Sequence, residues 1–293
     1  MRTTLSPKNL AEATGMSESS VKRWVDEGLI VAFRTGGGHR RIHLSEALRA
    51  IRAHGFPIVK PHLLRLPDLT SAAGSGGDEH ELAPRLTDAL MEGRAADVRA
   101  MLFGAWLRGA TVTELLDGPV ASAMRRIGEL WRHNQHGVMV EHRATDICEQ
   151  TLHIWRSMLP PPVEQAPVAV GGAPSDDTYS LPSLMAATVF TFEGIHAVNL
   201  SKETPIDALA AAAEQYGAKY VWFAMSIDRT AREEANLCTR ITSLADQIGP
   251  RGGRFVLGGR SVPAALRNQS HEAILIARSF GDLAAYIQNE PIS

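Results

Sequence analysis

From Val163 onward, short apolar runs alternate with longer helical patterns, and this alternation restricts the fold more than any other property of the chain. The runs fall in PVAVGGAP, HAVNLS, YVWFAMSI, RFVLGGRSV and AILIARS. Between the first four lie LPSLMAATVFTFEG, TPIDALAAAAEQYG and AREEANLCTRITSLADQIG. Strands separated by a helix pair in parallel with right-handed crossovers, so residues 163–293 are expected to form a doubly wound parallel α/β domain. Thr204 is expected to cap the second of these helices. Ligands of such sheets sit beyond the carboxyl ends of the strands. Those ends are Gly171-Gly172-Ala173-Pro174, Ser201, Ser226 and Gly258-Gly259.

The preceding segment has a different grammar. Residues 79–160 contain apolar residues at helical spacing, such as Leu82/Leu86/Leu90, Leu115/Val120/Met124/Ile127 and Ile147/Leu152/Trp155. Four or five helices with short connections imply a helical bundle, ended by Pro160, Pro161 and Pro162. Residues 58–78 hold prolines followed by a Ser/Gly/Ala stretch and are expected to be a linker.

Residues 1–57 read as a third domain. Ser6 precedes Pro7 as a cap before a first helical position, and Gly15 ends that helix. Ser17 caps a second helix carrying Val21, Trp24 and Val25 at helical spacing, and Gly28 ends it. Trp24 and Leu29 are assigned to the core. Ser17, Ser19, Ser20, Lys22 and Arg23 lie at the start of the second helix, where base edges and phosphates are met by hydroxyls and cations. RTGGGHRRI follows as a basic wing, with Arg34, Thr35, Gly37, His39, Arg40 and Arg41 placed to approach a sugar-phosphate backbone. Residues 45–54 are expected to close this domain as a helix capped by Ser45.

Charge is distributed accordingly. Residues 1–60 carry a net +5, while the whole chain carries −2 and residues 61–293 carry −7. The two cysteines, Cys148 and Cys238, exclude a disulfide framework and argue for a reducing cytoplasm. No apolar run is long enough for a membrane span, and no signal peptide precedes the first domain.

The strings SVKRWVDEGLI and RTGGGHRRI resemble the winged helix-turn-helix of the MerR family and its excisionase relatives. The domain order as a whole resembles the cobalamin-dependent photoreceptor repressors of the CarH/LitR type. In that group the bundle carries the motif W-x9-E-H, present here as Trp131, Glu141 and His142. The resemblance implies that Trp131 roofs a corrinoid while Glu141 and His142 bond around its upper ligand. It implies a Rossmann-like α/β domain of the cobalamin-binding type, with the ligand held between bundle and α/β domain. Ser226, Gly258 and Gly259 would make room for the nucleotide tail. It also implies a double-stranded DNA operator read by a homo-oligomer, a dimer or tetramer, that responds to a tetrapyrrole, adenosylcobalamin, and through it to light.

Two positions depart from the group. Its D-x-H-x-x-G motif aligns with Asp177 to Pro182, placing Tyr179 where the cobalt-ligating His belongs. A phenol, ionising near about pH 10, is a poor cobalt ligand, though it serves ferric haem. The bundle His expected directly after the Trp is Arg132, with His133 one place later. Three readings stay open: cobalamin with Tyr179, water or its own base below the metal; a biliverdin or haem in the same pocket, with Cys148 and Cys238 as conceivable bilin anchors; or no ligand. No nucleophile–base set and no HExxH pattern is present, so no catalytic residue is assigned and a regulator is expected rather than a methyl-transfer module.

Overall fold

The computed structural model describes residues 3–66, 68–69, 79–131, 135–268 and 270–290, excepting the side chains of residues 79, 80, 130, 131, 135 and 136. The chain divides into two units, residues 1–160 and 161–293.

The first unit begins with β1 (Thr4–Leu5), α1 (Pro7–Thr14), α2 (Glu18–Asp26), β2 (Phe33–Arg34), β3 (Arg40–His43) and α3 (Leu44–His54). Local chemistry sets these bounds. Ser6 Oγ accepts the Asn9 amide at 3.0 Å, Pro7 takes a position that needs no donor, and Gly15 turns left-handed at φ 70°. The strands form an antiparallel sheet in the order β1-β3-β2, with Leu5 opposite Ile42 and Arg34 opposite Arg40. Leu10, Val21, Ile30, Ile42, Leu48 and Ile51 are buried together beneath it.

Three local expectations change here. Leu29, assigned to the core, is 42% exposed, because Gly28 turns the chain at φ 76° and Ile30 fills the interior instead. Trp24 is half-buried, its ring stacked 4.6 Å from that of Phe56. Ser45 lies inside α3, since β3 runs straight into the helix and His43 takes the cap position without a side-chain bond.

Part of the expected linker is tied down. The amides of Val59 and Lys60 both donate to the Ala13 carbonyl, at 2.7 and 3.1 Å, and a 3-10 turn follows at Pro61–Leu64. Leu64, Leu66 and Leu69 are buried. Residues 70–78 lie outside the described residues.

The unit continues as a bundle: α4 (Glu79–Glu92), α5 (Ala95–Leu107), α6 (Val112–Leu115), a wide π turn (Leu116–Val120), α7 (Ala121–Trp131) and α8 (Gln135–Met158). Its centre is aromatic. Trp155 is fully buried and meets Phe103 and Trp106 edge-on, at 5.6 and 5.8 Å between centroids. Gly93 ends α4 at φ 76°, and the Arg143 side chain of α8 crosses it to donate to the Met91 carbonyl.

The second unit is the expected doubly wound layer structure. β4 (Val168–Gly172), β5 (His196–Asn199), β6 (Tyr220–Ala224), β7 (Arg254–Gly258) and β8 (Ile274–Ala277) pair in parallel in the order β5-β4-β6-β7-β8. The helices between them are α9 (Leu181–Phe192), α10 (Ile206–Gln215), α11 (Ala231–Ile248) and the short α12 (Ala264–Arg267). A terminal helix not anticipated from sequence, α13 (Phe280–Asn289), is capped by Ser279. Alternate strand residues serve opposite faces. Val221 and Phe223 join Phe255, Leu257, Leu209 and Ile241 in one core, while the Trp222 ring packs on Phe190 at 5.2 Å. Thr204 does not cap α10; Pro205 holds that position, and the Thr204 hydroxyl turns back to the carbonyls of Leu200 and Ser201.

Candidate functional site

The N-terminal face of α2 is a hydroxyl cluster. Ser17 Oγ accepts the Ser20 amide at 3.1 Å and sits 2.8 Å from the hydroxyls of both Ser19 and Ser20. Ser17 is thus the cap, and Ser19 and Ser20 lie beside it at the helix start. Lys22 pairs with Glu18 at 2.8 Å and Arg23 with Glu27 at 3.8 Å, both on the exposed surface. Such solvent-screened pairs contribute little to stability and yield readily to a phosphate.

The wing is closed by Thr35, whose amide donates to the His39 carbonyl at 3.0 Å. Gly38, at φ 79°, is the glycine the tip requires; a Cβ on Gly37 would meet only ordinary contact with the His39 ring. Arg34 donates to the Gly38 carbonyl at 3.3 Å. Arg40 turns to α2, its Nη2 2.5 Å from Asp26 Oδ1, and fixes the wing against the helix. Arg41 forms no ion pair among the described residues, and His39 is exposed. Glu46 holds the turn between α2 and the wing: its Oε1 accepts the Val31 amide at 2.7 Å and the Arg49 guanidinium at 2.6 Å.

A residue with no sequence signature joins this domain to the bundle. Arg52, in the last turn of α3, donates to the carbonyls of Trp106, Gly109 and Ala110 at the end of α5, the last two at 2.9 and 2.7 Å. Trp106 lies in the last turn of α5, where the helix dipole favours a cation, and Gly109 and Ala110 follow just after the helix. The same guanidinium lies 5.5 Å from the Trp106 ring centre. Nearby, Arg99 of α5 pairs with Asp68 at 2.6 Å.

On the bundle, Trp131 ends α7, and its side chain, like residues 132–134 with Arg132 and His133, is outside the described residues. Glu141 and His142 are adjacent on α8, with His142 Nε2 3.6 Å from Glu141 Oε2. The Glu141 side chain is 17% exposed and accepts from Thr145 at 3.1 Å, whereas that of His142 is 75% exposed.

At the carboxyl ends of the sheet, Asp177 is fully buried. Its Oδ2 accepts the Ser226 amide at 2.6 Å and its Oδ1 the Tyr179 amide at 3.2 Å. The carboxylate therefore ties the loop after β4 to the loop after β6, at the point where the strand order reverses. Tyr179 is 37% exposed. Ser226 also accepts from Arg260 through its carbonyl, at 2.6 Å. Gly258 lies in ordinary contact with the Ala277 carbonyl. At Gly259, φ is 101° and a Cβ would stand 2.1 Å from the Met225 carbonyl. Its missing side chain makes room for this chain's own backbone rather than for a ligand tail. These loops carry hydroxyls and guanidinium groups but no imidazole.

Cys148 is buried, and burial with the nearby Glu149 charge pushes its thiol up to about 12. Burial, with Glu234, also raises the Cys238 thiol. Neither is an activated nucleophile.

A model for a helix-turn-helix domain matches residues 4–55, and a model described as a B12 binding domain matches residues 82–155, the span of α4 to α8. The chain pairs a helix-turn-helix domain with a B12-binding domain. Among solved structures, the monomethylamine corrinoid protein of Methanosarcina barkeri is similar in fold, with a TM-score of 0.50 and 14% identity over 71% of this chain and 98% of that one. A cobalamin-binding protein of Desulfitobacterium hafniense scores 0.37 at 14% identity, over 72% of this chain and 97% of that one. The methanol:cobalamin methyltransferase complex of Methanosarcina barkeri scores 0.34 at 16% identity, over 75% and 85%. No curated protein matched the chain. Among the described residues no helix is long and apolar enough to cross a membrane, and no cluster of metal-ligating side chains occurs.

Arg52, Asp26 and Gly38 were not singled out by sequence reasoning. Gly38 carried a signal, three consecutive glycines, of which only the backbone angle shows the essential one. Arg52 and Asp26 act across 54 and 14 positions of sequence, beyond any local pattern.

Proposed function

We propose that this protein is a DNA-binding transcriptional regulator whose output is set by a bound corrinoid. The carrying observation is Arg52, which joins the helix-turn-helix domain to the end of α5, inside the segment matched by the B12-binding model. A ligand that shifts α5 by even a fraction of an ångström changes three charge-assisted bonds to the DNA domain. Two copies would bind two half-sites, each laying α2 in a major groove and its wing on flanking phosphates. Adenosylcobalamin is the proposed ligand, and light absorbed by it the proposed signal that shifts an assembly equilibrium. The helix-turn-helix match supports the DNA reading, and a MerR-type, CarH/LitR-like regulator is the reading proposed from the order of domains.

The test is direct. Protein incubated with adenosylcobalamin and freed of excess should carry a visible corrinoid spectrum, and its affinity for promoter DNA and its elution volume should change between dark and light. Absence of bound chromophore sinks the corrinoid reading. Bound chromophore with unchanged DNA affinity sinks the regulatory one.

A further inference from the structure

The carboxyl edge of the sheet lacks what a corrinoid needs beneath its metal if its own base is displaced. Residues 161–293 contain two histidines, His196 and His271. His196 is the first residue of β5, at the amino edge of the sheet. His271 precedes β8 at the same edge, with Nε2 3.1 Å from Asp246 Oδ1 and Nδ1 accepting the Ala273 amide at 3.2 Å. At about 3.3 Å per residue, strands of four or five residues hold the two edges roughly 10–13 Å apart. The sulfur of Met225, at the end of β6, belongs to a fully buried side chain of the hydrophobic core. The carboxylate of Asp177, beside Tyr179, is already used twice by backbone amides.

Three glycine positions beside the strand ends are closely covered by the chain's own atoms. Between β4 and β6, the Trp222 ring lies so close to Gly171 that a Cβ there would be 2.0 Å away. The ring is pinned: its Nε1 donates to Ser183 Oγ of α9 at 3.0 Å, and that hydroxyl donates to Asn199 Oδ1 of β5 at 2.7 Å. Between β4 and β5, Gly172 is closed on by the Thr204 hydroxyl and the Ser201 carbonyl, 2.5 and 2.7 Å from where a Cβ would stand. Between β6 and β7, Gly259 is closed on by Met225. A heteroaromatic base entering beside the sheet would have to evict Trp222 and break both of its anchoring bonds.

We propose that the α/β unit accepts a corrinoid only with its own nucleotide base retained on the metal, and supplies no protein nitrogen beneath it. This rests on the corrinoid reading above. The role of the strand-end loops is then to contact the outside of an intact, base-on ligand: the hydroxyls of Ser175, Ser180 and Ser201 and the guanidinium groups of Arg229 and Arg260 suit its amide and phosphate rim. Tyr179 stands at the edge of that surface.

The experiment is electron paramagnetic resonance of the full chain loaded with cob(II)alamin, prepared once with natural-abundance protein and once with uniformly 15N-labelled protein. An unlabelled base on cobalt gives a nitrogen triplet in both samples, and that is the expected result. A doublet appearing with labelled protein would mean a protein nitrogen on the metal and overturns the proposal while leaving corrinoid binding intact. Loss of nitrogen splitting from both samples overturns it equally, by showing a displaced base with no replacement. Failure of the chain to retain cob(II)alamin at all removes the functional reading as well.

Discussion

The guanidinium of Arg52 covers the ring of Trp106 and, in the same placement, bonds the carbonyl of that residue. One side chain thus closes the end of a bundle helix and anchors the DNA-binding domain to it. Burial lowers the Arg52 pKa, the Glu114 charge opposing this, but an arginine stays charged throughout the accessible range. The joint is therefore insensitive to pH and sensitive to movement.

Replacing Arg52 by Ala is expected to separate the two halves of the first unit. Charge-assisted bonds of this kind contribute about 1.5–3 kcal/mol each when isolated, and less when they share one donor group. Amide exchange in α3 and residues 59–66 should rise while α8 stays protected. The corrinoid spectrum should survive, and ligand-dependent change in DNA affinity should disappear. Retained coupling in the variant would remove Arg52 from the signal route.

The two wing arginines should behave differently. Arg41→Ala removes a free cation and should weaken binding on all sequences, lowering the slope of log affinity against log salt by about 0.9. Arg40→Ala instead frees Asp26 and loosens the wing from α2. Its salt slope should fall less than its affinity, and exchange at the wing amides should increase. Titrations across a salt series separate the two behaviours.

Glu46 supplies an acid-sensitive clasp. Burial opposes its ionisation, but the bonds from Arg49 and the Val31 amide outweigh that and hold its carboxyl below the ordinary value of 4.5. A carboxyl lowered on folding stabilises fully above its unfolded value and loses that contribution as pH falls through the folded one. Thermal melts should show the DNA-binding domain weakening below about pH 4.5, and Glu46→Gln should be less stable at neutral pH with a flatter acid limb.

Thiol chemistry offers a separate check on the ligand. With its thiol pushed up to about 12, Cys148 should resist a disulfide reagent at pH 8 until the chain unfolds. Cys238 should react slowly in the native state. Incubation with biliverdin should leave no chromophore attached after denaturing electrophoresis, and a covalent adduct would return the bilin reading to consideration.

Trp222→Ala should cost about 3–5 kcal/mol, the usual range for a large buried aromatic. It should also open the space beside Gly171. In cob(II)alamin-loaded protein, a change from base-on to base-off spectrum in this variant alone would show that the ring is what excludes the base.

Much of this architecture was legible because its determinants are local. Ser6 and Ser17 act within three residues of themselves as caps, and the alternation of apolar runs fixed the order of strand and helix. Only two residues separate the helix α13 from β8, so its apolar positions run on from those of the strand. The site was less legible. Asp177 aligns with a family motif in sequence, whereas its hydrogen bond to Ser226 spans 49 positions and follows from sheet order alone. A glycine such as Gly259 does not tell in sequence that the Met225 backbone stands against it.

Asp177 fixes the backbone of Tyr179 by a bond to its amide, a contact that does not use the Tyr179 side chain. A position whose main chain is set by its neighbours is one where a residue can be exchanged without refolding what surrounds it. Tyr179 is such a socket: an imidazole placed there by a single substitution would be presented in the same place as the phenol. The side-chain chemistry displayed at this position is therefore separable, in evolution and in design, from the fold that displays it.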